Sequence, residues 1–334
     1  MPQVRITDLP APNQTVRFAP TLGQGFLVTV DTEEEFDWNQ PLSRTGHTLQ
    51  TLDRLRRFQA LCEAAGVAPV YLVDYPVATA PEAIAVLRPA IAAGKAEIGI
   101  QLHPWVNPPH DEAVNERNSF AGNLPPPLER AKFEQLLTVI EQNFGTRPLI
   151  YRAGRYGVGP ATAELLADHG IAIDSSVRAR FDYSTSGGPN FRDHPVTPWW
   201  IDRPRGLFEL PLTTVYWGLL RQLGPWLYPG LWRVPKLRGL LAKLGLLERI
   251  PLTPEGTSLD EAIRAIDIAI DEGLPVLVLS FHSPSLAPGF TPYVRSEAEL
   301  EAFYAWWRGV LAYLARRQIR PLTVRGLADA VTLA

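Results

Sequence analysis

Between residues 25 and 325, short runs of β-branched and aromatic residues alternate with longer segments whose apolar positions recur at helical spacing. This alternation does more than any other feature to limit the fold, because strand, helix, strand, helix is the rhythm of a parallel sheet with crossover helices. Residues 25–30, 67–73, 96–100, 148–151, 171–173, 207–210, 276–281 and 320–324 read as strands. Residues 48–65, 80–93, 128–144, 160–169, 258–272 and 296–317 read as helices, with Gly66, Gly94 and Gly273 as stops and Ser258 with Glu261 as a capping box. No repeat, low-complexity tract or linker divides the pattern, so residues 1–334 are expected to form one (β/α) barrel domain carrying an insertion at 213–250.

The strands share a second property: each runs straight into residues able to do chemistry. The first ends in Asp31, Glu33, Glu34 and Glu35, four acids within five positions. Such a cluster needs a counter-charge, which a metal, a catalytic proton or an arginine could supply. Later strands deliver Asp74, His103, Arg152 with Arg155 and Tyr156, Asp174 and His282. In a parallel barrel all these ends lie on one face, where active sites form. Each also has an ordinary explanation: Asp74 and Asp174 as helix caps or turn formers, Arg152 as a surface ion-pair residue, either histidine as a satisfied structural one. The long segment 106–127, rich in amides and proline, reads as a functional loop.

Composition excludes several classes. A net charge of -3 and a pI near 6.1 give no basis for binding nucleic acid. The one cysteine, Cys62, lies on an apolar helical face and reads as core, so no internal disulfide can form. The proline-containing N-terminus lacks the apolar run of a signal peptide, and no stretch of about 18 apolar residues occurs; the expected location is cytoplasmic. The insertion stands apart. Trp217, Trp226, Trp232 and many leucines are interleaved there with Arg221, Arg233, Lys236, Arg238 and Lys243, the composition either of a helical hairpin packed on the barrel or of a helix lying on a membrane surface.

In order along the chain, Val30-Asp31-Thr32-Glu33, Glu97-Ile98-Gly99-Ile100-Gln101-Leu102-His103-Pro104, Tyr151-Arg152-Ala153-Gly154-Arg155-Tyr156, Asp174-Ser175-Ser176-Val177 and Leu279-Ser280-Phe281-His282-Ser283 resemble the motifs of the polysaccharide deacetylases of NodB homology type, carbohydrate esterase family 4. The likeness is closest to the branch typified by WalW, a protein associated with lipopolysaccharide biosynthesis. It implies a distorted (β/α)7 barrel and metal-assisted removal of N-acetyl groups from sugars of a bacterial surface polysaccharide or lipopolysaccharide precursor, with zinc as the expected ion. By the same resemblance Asp31 is the general base, Glu33 and His103 are metal ligands, Arg152 holds the base, and His282 is the general acid. Trp105, Asn118, Tyr156 and Asp174 are the expected substrate contacts. The chemistry coheres: a bound cation acidifies its water and polarises the amide carbonyl, the carboxylate takes a proton, and a histidine returns one to the leaving nitrogen.

One departure stands out. The family pattern places two histidines four apart before proline, whereas here Gln101 takes the first position and His103-Pro104 follows two residues early. Asp31, Asp74, His47 and His110 are the candidates for a third ligand. Two other functions fit the same residues. One is a catalytically inactive glycan-binding protein. The other is a glycoside hydrolase using two of Asp31, Glu33, Glu34 and Asp174, which requires carboxyl groups about 5 to 9.5 Å apart. The expected partner is an N-acetylated sugar or its precursor, lipid-linked if 213–250 touches a membrane.

Overall fold

The structure, a computed structural model, describes residues 5–37, 40–231 and 234–332; Trp232 and Arg233 of the insertion lie outside them. Its main sheet follows the path β10-β1-β2-β3-β4-β5-β7-β6, with β11 also pairing with β1. The strands are β1 (Gly25–Thr32), β2 (Val70–Val73), β3 (Glu97–Leu102), β4 (Ile150–Ala153), β5 (Ile173–Asp174), β6 (Trp199–Asp202), β7 (Leu207–Glu209), β10 (Val276–His282) and β11 (Arg320–Pro321). From β10 to β7 every neighbour is parallel, a run of seven strands, and β6 folds back antiparallel on β7. The sheet curls into a half-barrel, matching the NodB-type fold expected from the motifs. Between β7 and β10 irregular chain takes the place of a strand: Val278 N donates to Thr213 Oγ1 and Ser280 N to the Leu252 carbonyl.

Residues along each strand alternate between two apolar layers, as a pleated strand requires. Leu27, Leu72, Ile150, Ile173, Phe208 and Val278 fill the inside of the curl. Phe26, Val28, Val30, Tyr151 and Phe281 point outward beneath the helices. Those helices are α1 (Leu55–Ala64), α2 (Tyr75–Thr79), α3 (Pro81–Ala92), α4 (Pro126–Phe144), α5 (Thr162–Asp168), α8 (Leu259–Asp271), α9 (Glu297–Arg316) and α10 (Val324–Ala330). The outer layer is tightest where Phe281 meets Phe58 at 4.7 Å and Trp307 at 5.4 Å between ring centroids. Cutting such a ring to alanine costs about 3–5 kcal/mol. The Ser258–Glu261 capping box forms as the sequence predicts, opening α8.

The insertion is more than a helical hairpin. It stands on an antiparallel pair, β8 (Thr214–Trp217) and β9 (Glu248–Pro251), with α6 (Gly224–Leu231) and α7 (Pro235–Lys243) between them. Tyr216, Tyr228 and Leu247 form its small core. Leu219 (84% exposed), Trp226 (88%), Leu240 (52%) and Leu244 (60%) face outward. Among the described residues no helix is long and apolar enough to cross a membrane.

Candidate active site at the strand ends

The inner-face alternation decides which strand-end residues meet. On β1, Leu27, Thr29 and Asp31 share the inside; on β4, Ile150 and Arg152 do; on β10, Val278, Ser280 and His282 do. Register then sets their height: Asp31 pairs with His282 across β1 and β10, and Gln101 with Arg152 across β3 and β4. These side chains line or underlie a cavity of about 700 Å³, whose walls include Asp31, Glu33, Gln101, His103, Trp105, Tyr156 and His282. That volume lies within the usual range for a small-molecule site.

Arg152, wholly buried, forms the floor. Its Nη1 donates to Asp31 Oδ1, its Nη2 to Thr29 Oγ1 (3.1 Å) and Ser175 Oγ (3.0 Å), and its Nε to the Ser175 carbonyl (2.9 Å). A buried guanidinium with this many acceptors has one orientation, and so has the carboxylate it holds. The other Asp31 oxygen, Oδ2, lies 3.7 Å from His282 Nε2.

His282 is held from behind by Glu255, whose Oε2 meets Nδ1 at 2.7 Å and whose Oε1 accepts from His282 N (3.1 Å) and Ser285 Oγ (2.6 Å). Burial draws the imidazole's pKa down, but Glu255, Glu33 and Asp31 outweigh it and push the group up to about 10. At neutral pH the ring is therefore an imidazolium with Nε2–H facing the cavity.

The four acids of the first motif take three different places. Asp31 and Glu33 face the cavity. Glu34 lies behind it, accepting from Trp105 Nε1 (2.8 Å) at Oε1 and meeting His103 Nδ1 (2.8 Å) at Oε2. Glu35 ties down the following loop by accepting from Thr48 Oγ1, Gln50 N and Thr51 N. Nδ1 of His103 faces Glu34, and its Nε2 lies 3.5 Å from Glu33 Oε2 on the cavity side. Gly154 makes this placement possible: a Cβ there would sit 2.3 Å from the imidazole. The next two residues, Arg155 and Tyr156, have φ of 54° and 62°, a left-handed bend that carries them into the cavity wall.

Glu34, Asp74 and His103 form a buried group whose ligand atoms all lie within 4.8 Å of one another, a set that fits a metal ion. Asp74 is also the N-cap of α2, with Oδ1 accepting from Val77 N and Oδ2 from Glu34 N. Burial and the neighbouring Glu34 carboxyl push Asp74 well above the ordinary range. On the cavity side of the same imidazole lie Glu33, lifted to about 8 chiefly by burial, and Gln101, whose Nε2 donates to Glu33 Oε2 (3.2 Å) while its buried Oε1 has no partner. A desolvated carboxyl group and an imidazole nitrogen 3.5 Å apart also suit a cation.

Several sequence expectations do not reach the cavity. Asp174 is buried on the outer face: Ile173 points inward, so its neighbour points out, pairing in register with Tyr151 and Glu209. Its carboxyl, raised to about 6 by burial, bonds Ser176 Oγ instead of facing a substrate. Asn118 spends its amide on the Ala113 carbonyl, and neighbouring Asn115 takes the cavity position. His110 is exposed, and neither it nor His47 lines the cavity. Glu255, Arg178, Tyr183 and Tyr293 were not anticipated. Glu255 follows β9, a strand hidden within the insertion, and the only available signal was its place in Thr253-Pro254-Glu255-Gly256.

The fold has known counterparts. It is the fold of the NodB-type polysaccharide deacetylases. A probable polysaccharide deacetylase from Pseudomonas aeruginosa PAO1 superimposes with a TM-score of 0.51 at 14% identity, over 93% of this chain and 92% of that one. The allantoinase PuuE gives 0.52 at 14%, over 97% and 93%. A putative polysaccharide deacetylase from Mycobacterium smegmatis gives 0.45 at 18%, over 93% and 98%. No family model and no curated protein matches the sequence itself.

Proposed function

We propose that the protein is an amidohydrolase that removes an acyl group, acetate in the simplest case, from a sugar amine. The observation that carries the reading is the pair of buried dyads meeting across the cavity, Arg152–Asp31 and Glu255–His282, with Asp31 Oδ2 and His282 Nε2 3.7 Å apart. Asp31, held in place by Arg152, takes the proton from the attacking water. His282, kept protonated by Glu255 and by the carboxylates in front of it, delivers a proton to the departing nitrogen. A divalent cation held by Glu33 and His103 Nε2 would supply Lewis acidity toward the amide carbonyl when bound. Glu34 and Asp74 then orient the imidazole, as a carboxylate behind a metal-binding histidine does. Zinc suits the imidazole, and the oxygen donors suit harder ions as well.

Trp105, stacked on His103 at 4.4 Å, and Tyr156 form the walls against which a sugar ring would lie. The natural substrate in this reading is a precursor of a bacterial surface polysaccharide or lipopolysaccharide, in the cytoplasm. The insertion supports a lipid-linked form: residues 213–247 contain no Asp or Glu, while Arg221, Lys236, Arg238 and Lys243 stand among exposed Leu219, Trp226 and Leu240. That is the make-up of a surface that rests on anionic lipid. The decisive assay is acetate release from N-acetylhexosamine oligosaccharides after reconstitution with zinc, manganese or cobalt. Release that survives both Asp31→Asn and His282→Ala rejects the reading.

A further inference from the structure

The cavity holds one charge that no carboxylate among the described residues balances. Its other cationic groups each face a carboxylate: His282 meets Glu255, and Arg155 lies 3.6 Å from Glu116. Arg178 does not. Among the described residues no carboxylate pairs with it. Its hydrogen-bond partner is the Tyr183 hydroxyl at 3.3 Å, and its guanidinium lies over the rings of Phe181 at 4.0 Å and Tyr156 at 5.5 Å. Phenols are neutral near pH 7, so these neighbours orient the cation without neutralising it. A second guanidinium, that of Arg249, lies 3.5 Å from the same Phe181 ring and adds to the positive field.

Position gives this charge a use. Arg178 lines the main cavity and also a side recess of about 40 Å³, and His282 and Tyr293 line both. A group entering the recess would therefore sit beside the residue assigned to protonate the leaving nitrogen. Thr213, Thr214 and Thr253 are also in the recess wall, as is Glu255, whose two carboxylate oxygens are taken up by His282 and Ser285. An arginine clamped by aromatic rings and left with free N–H donors is a pre-organised receptor for a planar or tetrahedral oxyanion.

We propose that Arg178 and the recess beside it bind an anionic substituent, a carboxylate or a phosphate, on the sugar whose amide is cleaved. The substrate is then an acidic or phosphorylated N-acyl sugar instead of a neutral polymer unit. This assignment of substrate class rests on the deacylase reading of the same cavity, and equilibrium binding separates the two.

Three probes are titrated calorimetrically into the full-length protein: N-acetylglucosamine, N-acetylmuramic acid and N-acetylglucosamine 1-phosphate. At least one anionic probe is expected to bind about 10- to 100-fold more tightly than the neutral sugar, the range for a hydrogen bond to a charged group. Whichever probe shows the preference identifies carboxylate or phosphate as the substituent. Arg178→Gln is expected to erase the preference and Arg178→Lys to keep part of it. In the unaltered protein the anionic affinity should fall as salt rises from about 0.05 to about 0.5 M while the neutral one stays level, a result that needs no variant to fold. Equal binding of all three probes, or a preference that survives Arg178→Gln, overturns the proposal. An intact anion preference without acetate release from any probe supports this inference and rejects the hydrolase, whereas acetate release from the neutral probe with no preference does the opposite.

Discussion

The carboxyl mouth of the sheet and the β8–β9 insertion treat charge in opposite ways. At the mouth, Asp31, Arg152 and Glu34 are almost fully buried and each is tied to a partner of opposite charge or to a hydrogen-bond donor. In the insertion, residues 213–247 carry basic residues and no Asp or Glu, and large apolar side chains such as Trp226 are exposed. Burial makes an unmatched charge expensive, so the mouth must be neutralised group by group and becomes rigid in the process. Exposure removes that penalty, and the insertion is free to carry a charge and an apolar surface that only an outside partner would complete. The mouth is accordingly expected to be sensitive to single atoms, and the insertion to composition.

The largest effect that would sharpen this contrast is on rate. Asp31→Asn and His282→Ala should each lower kcat about 10²- to 10⁴-fold in acetate release, the usual scale for losing a general base or acid. Asp31→Asn should also lower the urea midpoint, because it leaves Arg152 buried without its counter-charge. Arg152→Met isolates that effect. It strands Asp31 in the buried site and should cost about 3–5 kcal/mol in equilibrium unfolding; a loss under about 1 kcal/mol would mean that the mouth is wetter than its burial indicates.

Smaller effects concern pH. His282 has its pKa raised to about 10 in the folded state against an ordinary value of 6.5. The stability this imidazolium contributes is therefore fully present below about 6.5 and is lost as pH rises through about 10. A group that must be protonated to act places the alkaline limb of the rate profile near that upper value. Glu255→Gln removes the largest of the influences that raise it, so the limb should move toward neutrality, with activity at pH 8 falling about tenfold. An unmoved limb would exclude His282 as the acid. The smallest effect belongs to the insertion: Leu219→Ser with Trp226→Ser should change unfolding free energy by less than about 0.5 kcal/mol. Sedimentation with phosphatidylserine-containing vesicles should nevertheless fall sharply. Equal co-sedimentation of the double variant would break the contrast between the two regions.

Particular residues show where sequence reading succeeds. The seven parallel strands were legible because a strand buried on both faces must be apolar throughout, as Val70-Tyr71-Leu72-Val73 is. Asp31, His103, Arg152 and His282 could be grouped because parallel strands end on one side, whatever the spacing between them in sequence. Asp174 was misplaced because β5 contains two residues, too few to reveal which face each occupies. Glu255 went unseen because β8 and β9 were hidden in leucine-rich sequence of helical appearance.

Periodicity and the chemistry at each strand end are local properties, and the sequence by itself determined them: the parallel sheet, its helices, and a mouth lined with acid, imidazole and guanidinium. Which acid faces the cavity, which one braces His103, which nitrogen of that ring faces the cavity, and that Arg178 meets no carboxylate among the described residues were decided only in the tertiary structure. Inward and outward phase, and the distance between charges on separate strands, exist only once the sheet has curled and water has been excluded from its mouth.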